Sequence, residues 1–156
     1  MTFKINGKTE TVVNPDPAMS LNEYLRTVKL LKGTKRSCGE GGCGCCVVSI
    51  TSPGDSVPKP VNSCLHPLCA MDGAEVTTVE GIGSSRTTLH PVQKSLAEHW
   101  GSQCGGCSTG MVMSMYTLLQ SEPAATAQEM EMALDGNICR CTGYRPILDA
   151  FKAAAK

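Results

Sequence analysis

Apolar positions come in short β-prone runs over the first half of the chain and at helical spacing over the second. Thr2 to Ile5 and Thr9 to Val13 flank Asn6-Gly7, a dipeptide suited to a type I′ turn, so the chain is expected to open with a hairpin. Ser20-Leu21-Asn22-Glu23 reads as a capping box. Leu21, Tyr24, Leu25 and Val28 then repeat at i, i+3, i+4 and i+7, which predicts one amphipathic helix ending before Gly33. Cys46 to Ile50 is β-branched enough for a buried strand. Ser52 to Pro60, rich in proline, reads as a surface loop; Val61 to Leu68 follows it, and Ala74 to Val79 reads as a last strand. Gly81 to Thr88 is small and polar and marks a domain boundary, giving 1–82 and 83–156.

Beyond it, Leu89, Val92, Leu96 and Trp100 share one face of a helix with Pro91 near its start, and Met111, Val112, Met115, Leu118 and Leu119 line a second. Thr126 to Glu129 caps a third helix that Gly136 stops, and Pro146 opens a fourth carrying Ile147, Ala150, Phe151 and Ala154. The expected class is α+β: a β-grasp, ferredoxin-like first domain followed by a four-helix bundle.

Composition adds little except in three respects: ten cysteines, eight methionines, and few aromatics among 156 residues. The methionines at 111, 113, 115, 130 and 132 fall at helical spacing and read as core packing rather than copper ligands. Lys+Arg and Asp+Glu balance at 14 each, which argues against a nucleic-acid surface or an anionic membrane partner. No run is apolar enough to span a membrane and the first residues lack a signal peptide, so the expected compartment is the cytoplasm. There the thiols stay reduced, and ten of them point to metal ligation rather than disulfides.

Cys38, Cys43 and Cys46 stand at C-x4-C-x2-C spacing in a loop that also carries Gly39, Gly41, Gly42 and Gly44, with Cys64 downstream. That is the plant-type ferredoxin arrangement for a [2Fe–2S] cluster. Positive φ angles and close backbone N–H groups are what such a loop asks of its glycines. A second set, Cys104 and Cys107 followed by Cys139 and Cys141, sits at two helix starts, where the N-terminal dipoles favour thiolates. Taken alone, this second set also suits a four-cysteine zinc site. His66, His90 and His99 lack the pairing with cysteines that a Rieske centre needs. Cys45 and Cys69 are left over, Cys45 as a thiol between two ligands and Cys69 as a small core residue. No nucleophile–base constellation and no phosphate loop stands out, so the chain holds electron-carrying parts without substrate chemistry.

These motifs in this order, GTKRSCGEGGCGCC, NSCLHPL, GSQCGGCSTGMVMSMYTLL and GNICRCTGYRPILDAF, resemble the iron–sulfur region of the molybdenum hydroxylases, the xanthine dehydrogenase and aldehyde oxidase family. The match covers almost the whole chain and turns the second set from zinc towards iron. The resemblance implies two [2Fe–2S] clusters, one on Cys38, Cys43, Cys46 and Cys64 and one on Cys104, Cys107, Cys139 and Cys141. It further implies a molybdopterin centre and FAD on partner domains or subunits of a dimeric assembly. Electrons would leave the molybdenum through the helical-domain cluster, then the ferredoxin-like one, and reach FAD, with Gln103 and Cys141 near the pterin.

The chain departs from the family's usual wording in three places. Gly106 stands for an aromatic, Thr109 for a helix-opening proline, and Cys45 for an alanine. The first two are expected to loosen the start of the second helix. Residues 77–119 read more like the animal single-chain enzymes than the separate small subunits of bacteria, so the chain is expected to be either a fragment of a longer chain or a stand-alone subunit. The alternatives to an enzyme's relay are an independent ferredoxin-like carrier and a zinc-structured interaction domain.

Overall fold

The structure, a computed structural model, describes residues 1–155; Lys156, the last residue of the expected second domain, lies outside the described residues. Asn6 and Gly7 both adopt left-handed dihedrals, φ 50° and 76°, as a type I′ turn requires. The turn joins β1 (Thr2–Ile5) to β2 (Lys8–Thr11), and Ile5 faces Lys8 across the pair. With β3 (Val47–Thr51), β4 (Lys59–Asn62) and β5 (Glu75–Thr77) they form one five-stranded mixed sheet in the order β2-β1-β5-β3-β4. β1 runs parallel to β5, and β3 is antiparallel to both β4 and β5.

Ser20 Oγ accepts the Glu23 N–H at 3.2 Å and so opens α1 (Leu21–Glu23). The helix then widens into a π-helical turn over Tyr24–Val28, closed by Lys29 N–H donating to Tyr24 O at 3.1 Å, and Leu30 at φ 58° ends it. The wider turn moves Val28 off the face that Leu21 and Leu25 bury, and Val28 is 54% exposed, contrary to the regular periodicity expected of it. Leu21 and Leu25 pack with Phe3, Ile5, Val48, Ile50 and Val76 in a first core. Each fully buried aliphatic side chain there contributes about 1.5–3 kcal/mol.

A short α2 (Val79–Ile82) follows the sheet, so Val79 leaves the expected last strand for a helix. α3 (Pro91–Glu98), α4 (Ser108–Ser121), α5 (Ala127–Met132) and α6 (Arg145–Ala154) complete the chain. Val92, Leu96, Met111, Met115, Ile147 and Phe151 meet in a second core. α4 packs against α3 on one side and across β3 and β4 on the other, so this helix joins the two cores. Ser121 Oγ donates to Pro58 O at 3.0 Å and fastens its far end to the loop before β4.

Besides Val28, four residues fall outside the cores expected for them: Leu89, which lies before α3 and is exposed, and Trp100, Met132 and Cys69. α3 closes in a Schellman motif: Gly101 N–H donates to Leu96 O at 2.9 Å and Trp100 N–H to Ala97 O at 3.2 Å. Trp100 takes the left-handed position, φ 58°, and its ring is 82% exposed instead of lying on the helix face. Met132, at the last turn of α5, is exposed too, although Met111, Met113, Met115 and Met130 are buried as expected. Cys69 is exposed because the 3-10 turn Leu68–Met71 brings Leu68 and Met71 to the inside and sends the intervening residue out.

Candidate metal centres

Two sets of four thiols form around two loops that meet. In the first, Gly39, Gly41 and Gly44 hold φ near 74°, 76° and 69°, which bends the loop around Cys38. The backbone N–H of Glu40 points at Cys38 Sγ, with the Cys43 thiol and the N–H groups of Cys43 and Gly42 behind it; they draw that thiol down to about 7. Cys46 is paired with Cys64. Burial pushes Cys46 up to about 11, against the Cys64 N–H, which favours its thiolate. The cage is braced by residues that the cysteine pattern does not reveal. Buried Asn22 donates to Lys35 O and to Ser63 Oγ, each at 3.1 Å, and Ser63 Oγ donates to Cys46 O at 2.7 Å. Asn62 Nδ2 donates to Gly41 O at 3.0 Å. A polar residue at position 22, beside the capping serine and next to the buried Leu21, is the one signal that marks this bracing in the sequence.

In the second set Cys107 caps the N-terminus of α4 while Cys139 and Cys141 precede α6. The Cys104 and Cys141 sulfurs are 3.5 Å apart, and the Cys107 thiol lies against that of Cys139. Gly106 N–H donates to Cys104 Sγ at 3.5 Å and, with the Cys141 thiol, lowers its pKa. Burial pushes Cys107 up to about 12. Burial opposes ionisation at Cys139 as well, but the Thr142 hydroxyl, 3.1 Å from its sulfur, and the Thr142 and Cys141 N–H groups outweigh it and lower its pKa. Cys139 N–H donates to Tyr144 Oη at 3.0 Å, which fixes the turn into α6. Thr109, where a proline was the expected helix opener, has a buried Oγ1 with no hydrogen-bond partner among the described residues.

The two loops touch. Ile138 N–H donates to Cys43 O at 3.0 Å, and Asn137 Nδ2 donates to Gly44 O at 3.0 Å. Gly110 of α4 lies so close to Gly44 and Cys45 that a side chain there would strike their backbone. A cavity of about 260 Å³ lies at this junction, lined by Cys43 and Cys45 on one side and by all four thiols of the second set on the other. The second set has an exposed end, Cys104 and Cys141 beside exposed Gln103, and a more buried end, Cys107 and Cys139. His66 and His90 are half-buried with pKa values lowered by burial, and the His90 ring caps α3.

The donor chemistry fits two-iron groups. The thiols come in pairs, Cys104 with Cys141, Cys107 with Cys139 and Cys46 with Cys64. Two thiolates on one tetrahedral metal stand about 3.7 Å apart for bonds of about 2.3 Å, close to the Cys104–Cys141 separation of 3.5 Å. Each iron of a [2Fe–2S] cluster takes such a pair.

Residues 3–69 match the family described as a 2Fe-2S iron-sulfur cluster binding domain, and residues 78–152 match a [2Fe-2S] binding domain. The whole chain is 53% identical over 160 residues to a xanthine dehydrogenase of Drosophila pseudoobscura pseudoobscura and 50% identical to aldehyde oxidase 1 of Bos taurus. Among solved structures, quinoline 2-oxidoreductase of Pseudomonas putida 86 superimposes with a TM-score of 0.86 at 36% identity, covering 99% of this chain and 92% of that one. The chain belongs to the xanthine dehydrogenase and aldehyde oxidase family. It is an iron–sulfur region of that family, carrying two [2Fe–2S] binding domains, and it spans 12% of the length of the curated relatives it matches. No helix among the described residues is long and apolar enough to cross a membrane.

Proposed function

We propose that this chain is a two-station electron relay, carrying electrons from a molybdopterin-binding part to an FAD-binding part of a xanthine dehydrogenase or aldehyde oxidase type enzyme. Cys38, Cys43, Cys46 and Cys64 hold one [2Fe–2S] cluster and Cys104, Cys107, Cys139 and Cys141 the other. When bound, each cluster supplies one-electron redox chemistry. The architecture is read as a β-grasp domain over 1–82, built on the β2-β1-β5-β3-β4 sheet, and a four-helix domain over 83–156, built on α3 to α6. The enzyme is expected in the cytoplasm, as a dimer.

The ordering of the thiol pairs carries the reading. Cys104 and Cys141 lie at the surface, where a partner has access, and Gln103 and Cys141 are the residues assigned to face the pterin. Cys107 and Cys139 lie inside, opposite Cys43. The Ile138 N–H and the Cys43 carbonyl join the segments that carry one thiol of each set, so the route between stations is short and made of protein atoms. Cys46 and Cys139 are buried, so at least one thiol of each set is shielded from solvent. Cys38, the exposed thiol of the first set, marks the side assigned to the flavin.

Electron paramagnetic resonance of the reduced, iron-loaded protein tests the ligand sets. Two distinct signals are expected, with Cys43→Ala removing one and Cys107→Ala the other. Two intact signals in either variant would reject the assignment, and a colourless, zinc-bearing protein would reject the relay altogether.

A further inference from the structure

Cys45 belongs to neither four-thiol set, yet it is only 5% exposed and its sulfur shares a hydrogen bond with Cys43 Sγ at 3.5 Å. With Cys43 it forms the wall of the cavity that faces Cys107 and Cys139. Proton counting fixes the direction of the bond between the two sulfurs. A metal-bound cysteine is a thiolate and offers only lone pairs, so the shared proton belongs to Cys45. A donor aimed at a ligand sulfur favours the more negative, reduced state of a cluster and raises its potential.

We infer that Cys45 is a positioning residue that donates its S–H to the Cys43 thiolate and raises the reduction potential of the cluster held by the first set. The inference rests on Cys43 being a ligand, as read above. Its consequence is directional. A higher potential at the station assigned to the flavin side makes transfer from the second set to the first more favourable, and the thiol achieves this without touching the second set's own ligands.

The test is a redox titration of the iron-loaded protein followed by electron paramagnetic resonance, for the unaltered chain, Cys45→Ala and Cys45→Ser. Cys45→Ala removes the donor and should lower the first-set midpoint, with a change on the order of tenfold in the oxidised-to-reduced ratio at fixed potential, or 59 mV for a one-electron couple. The second-set midpoint and the iron content should not move. Cys45→Ser restores a donor and should return the first-set midpoint towards that of the unaltered chain. An unchanged midpoint in Cys45→Ala, or equal shifts in Cys45→Ala and Cys45→Ser, overturns the hydrogen-bond role. Loss of the first-set signal in Cys45→Ala makes Cys45 a ligand and overturns it as well. Cys43→Ala keeps the two readings apart, because an intact first-set signal in that variant rejects Cys43 as a ligand whatever the Cys45 variants do.

Discussion

Asn137 donates Nδ2–H to the carbonyl of Gly44 at 3.0 Å, a bond between residues 93 positions apart. Its Oδ1 accepts from Ser114 Oγ of α4 at 2.8 Å, so one buried amide ties the first thiol loop, the second thiol loop and the helix between them. Replacing it with alanine leaves the Gly44 carbonyl and the buried Ser114 hydroxyl without their partner. An unsatisfied buried polar group costs about 1–3 kcal/mol. Asn137→Ala should therefore lower the unfolding free energy by that order in chemical denaturation, and an unchanged midpoint would show that the bond contributes nothing to stability.

Gly110 tests the same junction through packing. A methyl group on α4 at this position would press on the Gly44 and Cys45 backbone, which cannot swing aside as a flexible side chain does. Alanine is the better helix former by about 1 kcal/mol, so helix propensity and overpacking pull in opposite directions. Overpacking of about 1–3 kcal/mol is expected to win, and Gly110→Ala should melt earlier than the unaltered protein. A higher melting temperature would mean the two loops separate freely.

What was legible in the sequence was local. The hairpin followed from Asn6-Gly7, the starts of α1 and α5 from their capping residues, the first [2Fe–2S] family from cysteine spacing, and the second from the family resemblance of its motifs. What escaped depends on partners far along the chain or on small departures from helical period. Gly110 reads as one more residue of a helix until Gly44 is brought against it, and Asn137 reads as a turn residue until Gly44 and Ser114 surround it. Val28 left its expected face because one turn widened, Trp100 because the chain reversed into a left-handed conformation, and Cys69 because a 3-10 turn replaced a regular run. In each case hydrophobicity is a property of the residue, whereas the direction it faces is set by the local turn of the backbone.

His90 gives the fold a pH dependence. Its Nδ1 accepts the Val92 N–H at 3.3 Å, its own N–H donates to Gln93 Oε1 at 2.9 Å, and its ring meets Tyr116 edge-on at 5.1 Å. Burial lowers its pKa, and a protonated ring has no lone pair left at Nδ1 to cap the helix. In the unfolded chain it titrates near 6.5. Its contribution is therefore complete above about 6.5 and is lost as the pH falls from there to the lowered folded value, because in that window the unfolded state binds more protons. His90→Asn, which keeps a capping oxygen, should flatten this part of a stability–pH curve. His66, also lowered by burial, leaves a slope of the same sign in that variant; an unaltered curve would remove His90 from the account.

Removing the iron should expose an order of reactivity among the thiols. Cys38 is exposed and held at about 7 by the Glu40 N–H and its neighbours, whereas burial raises Cys46 to about 11 and both Cys45 and Cys107 to about 12. At a pH of about 7.5 a thiol with the first value is mostly thiolate, and one titrating at about 11 is ionised in roughly one molecule in three thousand. The more basic thiolate is the better nucleophile, which returns roughly sixtyfold at a Brønsted slope of about 0.45. Ionisation still wins, by a factor on the order of forty before burial slows the inner thiols further. Alkylation of the iron-free protein, read peptide by peptide in a mass spectrometer, should label Cys38 first and Cys45, Cys46 and Cys107 last. Equal labelling of Cys38 and Cys46 would mean that the Glu40, Gly42 and Cys43 amides do not gather at Cys38 once the metal has gone, and that iron itself shapes the loop.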